Sequence, residues 1–200
     1  MRVKTESKRA ELVSAAVSVF AERGYEQTSM ENIRERAGCS KGTLYSYFAS
    51  KDELFLQTLL EVTGQEASGM AWEPKGEEES VEAFLNRFGL SFVQTLYAPR
   101  FQALRRLAFS SPNSEVGLSV YKQVVKPYEA RVAELLGQLM DAGALRRADP
   151  EVAAHHLGGL LESELLLKFL LRAIDVPSKA QLKNAAARAV AVFLAAYSID

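Results

Sequence analysis

The chain is 200 residues long, holds few glycines and prolines, and carries a formal charge of −1. That length supports one or two domains with a true hydrophobic core, and the near-neutral balance argues against a general nucleic-acid coat protein. No alternation of apolar and polar residues runs far enough to propose a sheet, so the expected class is all-α. The charge is unevenly placed. Residues 1–51 hold nine Lys/Arg against six Asp/Glu and the remainder fifteen against nineteen, as suits a protein that lays one end on DNA. Cys39 is the only cysteine, which leaves no internal disulfide and fits a reducing compartment.

Residues 1–9 are polar and basic through Arg2, Lys4, Lys8 and Arg9, readable as a solvated terminus or as an arm that touches phosphates. They lack the apolar run of a signal peptide. A helix is predicted from about Glu6 to Arg23, with Leu12, Ala16, Val19 and Phe20 on one face and Gly24 at its end. Three helix starts then crowd between Thr28 and Lys51. Thr28 with Glu31 has capping-box spacing, in which hydroxyl and carboxylate each satisfy an orphan backbone N–H. Met30, Ile33 and Ala37 follow at helical spacing, and Gly38 stands where a helix end needs a left-handed residue. Ser40 caps a second short helix over 41–48. On it Leu44 and Phe48 turn inward toward Ile33 and leave Lys41, Thr43 and Tyr47 outside. Ser50 with Glu53 makes another capping box and starts a helix at Lys51. Helix, glycine-containing turn, helix is the pattern of the DNA-reading helix-turn-helix, whose second helix enters the major groove.

The run from Leu12 through Leu54, with AAVSVFAERGYEQTSMENIRERAG followed by CSKGTLYSYFASKDELF, resembles the DNA-binding domain of the tetracycline-repressor (TetR) family of bacterial transcription regulators. The resemblance implies a three-helix reading domain over 1–52, with the helix-turn-helix at about 29–48. It implies a helical ligand-binding and dimerisation domain over 53–200, for about nine helices in all. It further implies a cytoplasmic homodimer that binds a palindromic double-stranded DNA operator, as a repressor released by a small effector. DNA contacts carry over to Ser40, Lys41, Gly42, Thr43, Tyr45, Tyr47 and Lys51, with Thr28 and Ser29 beside them at the start of the first short helix. Many members have His where this chain has Tyr47, usually a phosphate contact, and a tyrosine hydroxyl also reaches a phosphate. The residue types divide the labour. Lys51, in the first turn of its helix, suits a phosphate clamp. Gly42 lets the backbone approach the duplex, and Lys41 and Thr43 reach base edges. Tyr45 reads either as a contact or as a side chain packed between helices.

Asp52 to about Met70 is a further helix with Leu54, Phe55, Leu59 and Val62 as its apolar side, which the resemblance makes the link between reading and regulation. Ala71–Ser80 is the clearest break: Pro74 and Gly76 stop a helix, and Glu77, Glu78 and Glu79 suit the first turn of the next. Helices are predicted over about Val81–Tyr97 and Arg100–Ser110. A long one follows Pro112 to about Ala142, with a kink or break near Lys126 because of Pro127 and an end at Gly143. The last two helices run from about Pro150 to Arg172 and from Ser178 to Tyr197, and form the dimer segment of about 150–198. The first is apolar over most of its circumference and must be covered on several sides; the second is rich in alanine, which permits close approach. The resemblance implies that they pair with their copies in a second subunit, through Leu161, Leu165, Phe169, Ala189 and Phe193; the alternative is a monomeric core. From Arg100 to Leu171, chiefly RFQALRRLAF and DAGALRRADPEVAAHHLGGLL, the chain more loosely resembles the AefR-like regulatory domain, which implies control of an efflux or transport operon.

Aromatic residues mark the candidate effector site. Phe84, Phe88 and Phe92 form an i, i+4, i+8 stripe, joined by Phe101, Phe109, Tyr121, Tyr128 and the apolar Leu104. They can line a pocket for a small apolar or amphipathic effector, or simply be core. The second case leaves a regulator answering to a protein partner or to nothing. An enzyme or carrier with a vestigial amino end is the third reading, and little supports it. His155 and His156 point about 100° apart on a helix, Glu162 and Glu164 are similarly splayed, and no phosphate loop, cysteine cluster or Ser/His/Asp set stands out. No catalytic residue, metal or cofactor is expected. Glu162, Glu164, Lys168 and Arg172 interrupt the apolar stretch near the carboxyl end, so no membrane association is expected.

Overall fold

The computed structural model describes residues 5–67, 69–76, 78–110, 114–174 and 176–199. All regular structure among the described residues is helical, as the composition suggests. The helices are α1 (Glu6–Arg23), α2 (Met30–Arg36), α3 (Lys41–Tyr47), α4 (Lys51–Ala67), α5 (Val81–Leu96), α6 (Pro99–Ser110), α7 (Ser114–Val120), α8 (Lys126–Asp141), α9 (Pro150–Glu162), α10 (Leu166–Leu170) and α11 (Lys179–Tyr197). A five-residue π-helical turn, Tyr121–Val125, lies between α7 and α8. The elements form two compact units, one of Met1–Gln65 and Pro99–Val124, the other of Glu66–Ala98 and Val125–Asp200. Arg2, Lys4, Glu77 and Pro112, which figure in the sequence reading, lie outside the described residues.

In the first unit α1 packs on α2 and α6, α2 on α3, and α6 on α7. Thr5 caps α1 by accepting the Lys8 N–H, and Leu12, Val13, Ala16, Val17, Val19 and Phe20 are buried along one face. Lys8 and Arg9 belong to that helix and not to a free arm: Lys8 pairs with Glu11, while Arg9 donates to Gln57 and lies over the Phe48 ring. The cap of α2 falls one residue later than the Thr28–Glu31 spacing suggests. Ser29 accepts the Asn32 N–H and the Asn32 side chain accepts the Ser29 N–H. The reason is that Thr28 is buried and its hydroxyl donates to the Gly24 carbonyl at 2.6 Å, closing the α1–α2 turn. At α4, Ser50 Oγ accepts the Glu53 N–H, but the Glu53 carboxylate reaches past Ser50 to the Ala49 N–H at 2.7 Å.

Tyr25 holds this unit's aromatic centre. Its ring stacks on Phe20 at 5.9 Å and tilts against Phe55 at 5.0 Å, and its hydroxyl donates to Asp52. The end of α1 and the start of α4 are thereby tied to one side chain.

In the second unit α5 packs on α9 and α11, α9 on α11, and α8 on α9. A Cβ added at Gly89 would stand 2.9 Å from Leu161 Cδ2 and 3.3 Å from Val190 Cγ2, so the missing side chain is what lets α5 approach both helices. Trp72, in the segment before α5, tilts against Phe88 and Tyr128 with the Arg131 guanidinium 4.0 Å over its ring. Arg87 straps the same segment, donating to both oxygens of Glu79 and to the Glu73 carbonyl.

Two long helices predicted from sequence are interrupted. The kink expected at Pro127 takes the form of the π turn: proline has no N–H to return to the preceding turn, and the widened turn ends at Val125, just before α8. The helix expected over Pro150–Arg172 stops at Glu162. The Ser163 amide and hydroxyl both take the Leu160 carbonyl, at 3.3 and 2.7 Å, the acceptor that the Glu164 N–H would need to continue the helix.

Leu161, Leu165, Phe169, Ala189 and Phe193 are all buried among side chains of their own chain. Leu161 on α9, Leu165 and Phe169 at and in α10, and Ala189 and Phe193 on α11 all face the core of the second unit and not its surface. The large apolar residues exposed on or beside α9, α10 and α11 are Val152, Leu167, Leu170, Leu171, Val176, Val192 and Ile199. Among the described residues no helix is long and apolar enough to cross a membrane.

Candidate nucleic-acid interface

The helix-turn-helix is set by local caps. Gly38, with φ +57°, follows α2 in the left-handed region, and Ser40 then opens α3 by accepting the Thr43 N–H at 3.1 Å. Ile33, Leu44 and Phe48 are all fully buried, so the inner faces of α2 and α3 are spent on packing. Arg36 of α2 holds Glu22 of α1 through two hydrogen bonds of 2.8 and 2.6 Å, which fixes α2 on α1.

What remains on α3 faces outward. Ser40, Lys41, Gly42 and Tyr45 are exposed, Tyr45 to 46%, and the Lys41 ammonium lies 5.9 Å from the Tyr45 ring centroid. The hydroxyls of Ser40 and Thr43 share a hydrogen bond of 2.9 Å. A Cβ added at Gly42 would meet nothing nearer than Ser40 Oγ at 4.0 Å, so no neighbour in the chain requires glycine there. Ser29 is exposed beside this face, whereas Thr28 is turned inward.

Tyr47 and Lys51 sit differently from the rest. The Tyr47 hydroxyl accepts the Thr5 N–H at 2.8 Å. The Lys51 ammonium donates to the Tyr25 carbonyl at 2.9 Å and lies 4.1 Å from that ring's centroid. An ammonium carries three N–H groups, so this bond leaves two for another acceptor.

Between α2 and α3 is a concavity of about 270 Å³ lined by Ser29, Met30, Glu31, Arg34, Lys41, Leu44 and Tyr45. Met30, Glu31 and Arg34 were not singled out as interface residues in the sequence. The i, i+3 spacing of Glu31 and Arg34 was the available signal, since it places the pair on one helix face. Arg34 donates to Glu31 and holds its carboxyl below the usual carboxylate range, with charge from Arg34 and Lys41 adding to the effect.

The aromatic residues assigned to an effector divide between the two units. In the second, Phe84 and Phe88 are fully buried, and Phe92 and Tyr128 are partly buried against the same core. Burial pushes the Tyr128 phenol up to about 12, and its hydroxyl donates to the Met70 sulfur at 2.8 Å. In the first, Phe101 is buried while Phe109 and Tyr121 are 59% and 47% exposed. The Leu104 side chain lies outside the described residues. His156 Nδ1 is 2.6 Å from the Tyr197 hydroxyl, and His155 Nε2 is 3.7 Å from Glu129, so the adjacent histidines serve different partners. Among the described residues no three His, Cys, Asp or Glu side chains gather as a metal site would require.

Comparison with known proteins agrees with this arrangement. Residues 12–58 match the family model of bacterial regulatory proteins of the tetR family. Residues 83–199 match that of the AefR-like transcriptional repressor C-terminal domain. The HTH-type transcriptional activator FasR of Mycolicibacterium smegmatis is 45% identical over 58 residues, which are 29% of this chain and only 26% of FasR. The uncharacterized HTH-type transcriptional regulator YhgD of Bacillus subtilis is 27% identical over 153 residues, covering 72% of this chain and 74% of YhgD. In three dimensions, a TetR-family transcriptional regulator from Mesorhizobium loti superposes with a TM-score of 0.88 at 29% identity, covering 98% of this chain and 100% of that one. FadR from Bacillus subtilis, solved in complex with stearoyl-CoA, shares the fold with a TM-score of 0.73 at 20% identity, over 92% of this chain and 97% of its own.

Proposed function

The chain belongs to the TetR family of DNA-binding transcription regulators, with a regulatory half of the AefR-like kind, and from that premise we propose that it is a cytoplasmic repressor that grips a palindromic operator as a homodimer and is released by a small apolar or amphipathic effector. The observation that carries the DNA half is the split character of α3. Leu44 is buried beneath it while Lys41, Gly42 and Tyr45 stand outward, and Gly42 answers to no neighbour in its own chain. Lys41, Thr43 and Tyr45 are the proposed base and backbone contacts, with Ser29, Ser40, Tyr47 and Lys51 placing the helix against phosphates.

For the dimer, the outer faces of α9 and α11 supply the surface. Val152 on α9, Val192 on α11 and Ile199 just beyond it are exposed apolar side chains that a second copy would cover. For the effector, the aromatic group of Trp72, Phe88, Phe92 and Tyr128 in the second unit is the proposed seat, and the stearoyl-CoA held by FadR illustrates one amphipathic class. The full burial of Phe84 and Phe88 favours a second reading, in which these rings are filled core and the regulator answers to a protein partner or to nothing.

Selection of binding sites from random duplexes tests the proposal, followed by a release assay with acyl-CoA thioesters, flavonoids and other apolar compounds. A symmetric site with one half per subunit, released by some member of the panel, is the expected result. Coupling is reciprocal, so bound operator should weaken the effector by the factor with which the effector weakens the operator. A selected site that no compound releases leaves the second reading. No selected sequence at low salt would overturn both.

A further inference from the structure

The groove between α2 and α3 carries one carboxylate, Glu31, among its basic side chains Arg34 and Lys41, where a surface built only to grip phosphates would carry none. Glu31 lines the same concavity as Lys41 and Tyr45, so it meets whatever those two side chains meet. Arg34 brings two nitrogens to it, Nε at 2.8 Å and a terminal nitrogen at 2.6 Å, and both fall on Oε1. The other terminal nitrogen of Arg34 goes to the Cys39 carbonyl at 3.2 Å. The guanidinium is thus engaged inside the chain and orients the carboxylate, and no described residue takes Glu31 Oε2. The hydrogen bond from Arg34, and more weakly the charges of Arg34 and Lys41, keep the carboxyl ionised, so it is an acceptor only. The backing is rigid as well: the Ser29–Asn32 box and the Arg36–Glu22 fork hold α2 on either side of it.

An ionised carboxylate is repelled by phosphate oxygens. In the major groove it can accept only from an exocyclic amino group, on cytosine or adenine. In the duplex the adenine amino group is flanked by an acceptor on both sides, its own N7 and the thymine O4, whereas the cytosine amino group has one on a single side, the guanine O6, and a C–H on the other. We propose that Glu31 is a specificity-determining residue of this interface, accepting a hydrogen bond from a cytosine amino group in each half-site and rejecting thymine there. Thymine carries a keto oxygen where cytosine carries the amino group, and two acceptors face each other. The inference rests on α3 being the reading helix, as proposed above.

The test uses the full chain. Sites are selected from random duplexes with the wild type and with Glu31→Gln, and each selected site then competes with versions carrying thymine in place of single cytosines. Glutamine keeps the size and loses the charge, and its amide can accept from cytosine or donate to thymine. The wild type should prefer cytosine over thymine by about tenfold or more at one position per half-site. Glu31→Gln should bring that ratio close to one, keep the other positions, and bind unselected duplex more tightly because a negative charge is gone. Glu31→Gln reading every position as the wild type does overturns the inference, and so does an equal change at all positions. A wild type that selects no sequence removes the reading helix and this inference together, a result distinct from a wild type and Glu31→Gln that select the same site.

Discussion

The backbone N–H of Thr5 donates to the Tyr47 hydroxyl at 2.8 Å, so the residue that caps α1 is held by the last residue of α3. A side chain that the family resemblance assigns to a phosphate therefore also fixes where the first helix begins. Tyr47→Phe removes the acceptor and leaves the N–H to water. We expect a loss of about 1 kcal/mol in denaturant unfolding and faster amide exchange through the first turn of α1. Unchanged exchange there would show that the bond does not hold the helix start.

Gly42→Ala separates folding from DNA approach. The new methyl group meets Ser40 Oγ at 4.0 Å and otherwise open space, and alanine favours a helix by roughly 0.5–1 kcal/mol over glycine. The melting temperature should hold or rise, while operator affinity falls by about tenfold, near 1.4 kcal/mol. Affinity that rises along with stability would mean that the duplex backbone does not come close at this turn.

Lys51→Ala should act twice. The ammonium bonds the Tyr25 carbonyl and lies against its ring, so the melting temperature should drop. Affinity should also fall by a similar factor for every DNA sequence, with the salt slope smaller by about one. A lowered melting temperature with an unchanged salt slope would confine Lys51 to the Tyr25 contact.

Gly89→Ala sets two effects of opposite sign against each other. Helix propensity gains up to about 1 kcal/mol, but the methyl carbon would stand 2.9 Å from Leu161 Cδ2 and 3.3 Å from Val190 Cγ2, both in a packed core. Overpacking costs about 1–3 kcal/mol, so the variant should be less stable than the wild type by chemical denaturation. A more stable variant would show that Leu161 can turn aside freely.

Acid should loosen the segment before α5. The Arg87 hydrogen bond, helped by the Lys75 N–H, depresses the Glu79 carboxyl to about 2 from its ordinary value of 4.5. A depressed carboxyl adds stability above its unfolded value and loses it as pH falls toward its folded value. The difference in melting temperature between wild type and Glu79→Gln should therefore be full at neutral pH and shrink from about pH 4.5 toward pH 2. A difference that stays constant over that window would mean that the ion pair contributes nothing.

The helix-turn-helix was legible because its signals are local. Gly38, Ser40 and Ser50 act on backbone groups within three residues: Gly38 takes the left-handed turn, and Ser40 and Ser50 cap their helices, although the Glu53 half of the Ser50 box is met at Ala49 instead. The cap of α2 falls one residue beyond the position that the spacing implies because Thr28 is drawn to the Gly24 carbonyl, a choice that depends on how the α1–α2 turn folds. The stop at Ser163 was hidden for a similar reason, since a serine on a helix can bond outward or back to Leu160. Leu161 and Phe193 illustrate a limit of another kind. On helices as apolar as α9, periodicity marks which side chains are covered without telling whether the cover is the same chain or a second one. Gly89 gave no signal at all, because a glycine inside a helix acquires meaning only when Leu161 and Val190 arrive beside it.

Trp72 is the chain's only tryptophan, and its ring lies among Phe88, Tyr128 and Arg131, all in the second unit. Light that excites indole alone therefore interrogates that unit and passes over the DNA-reading one, whose rings are phenylalanine and tyrosine. Movement of the Arg131 guanidinium off the indole face shifts its emission. The native chain thus carries a single-colour optical gauge at the proposed effector seat, with no label to attach. Read beside far-ultraviolet dichroism, which sums over every helix, the same gauge separates melting of one unit from melting of both.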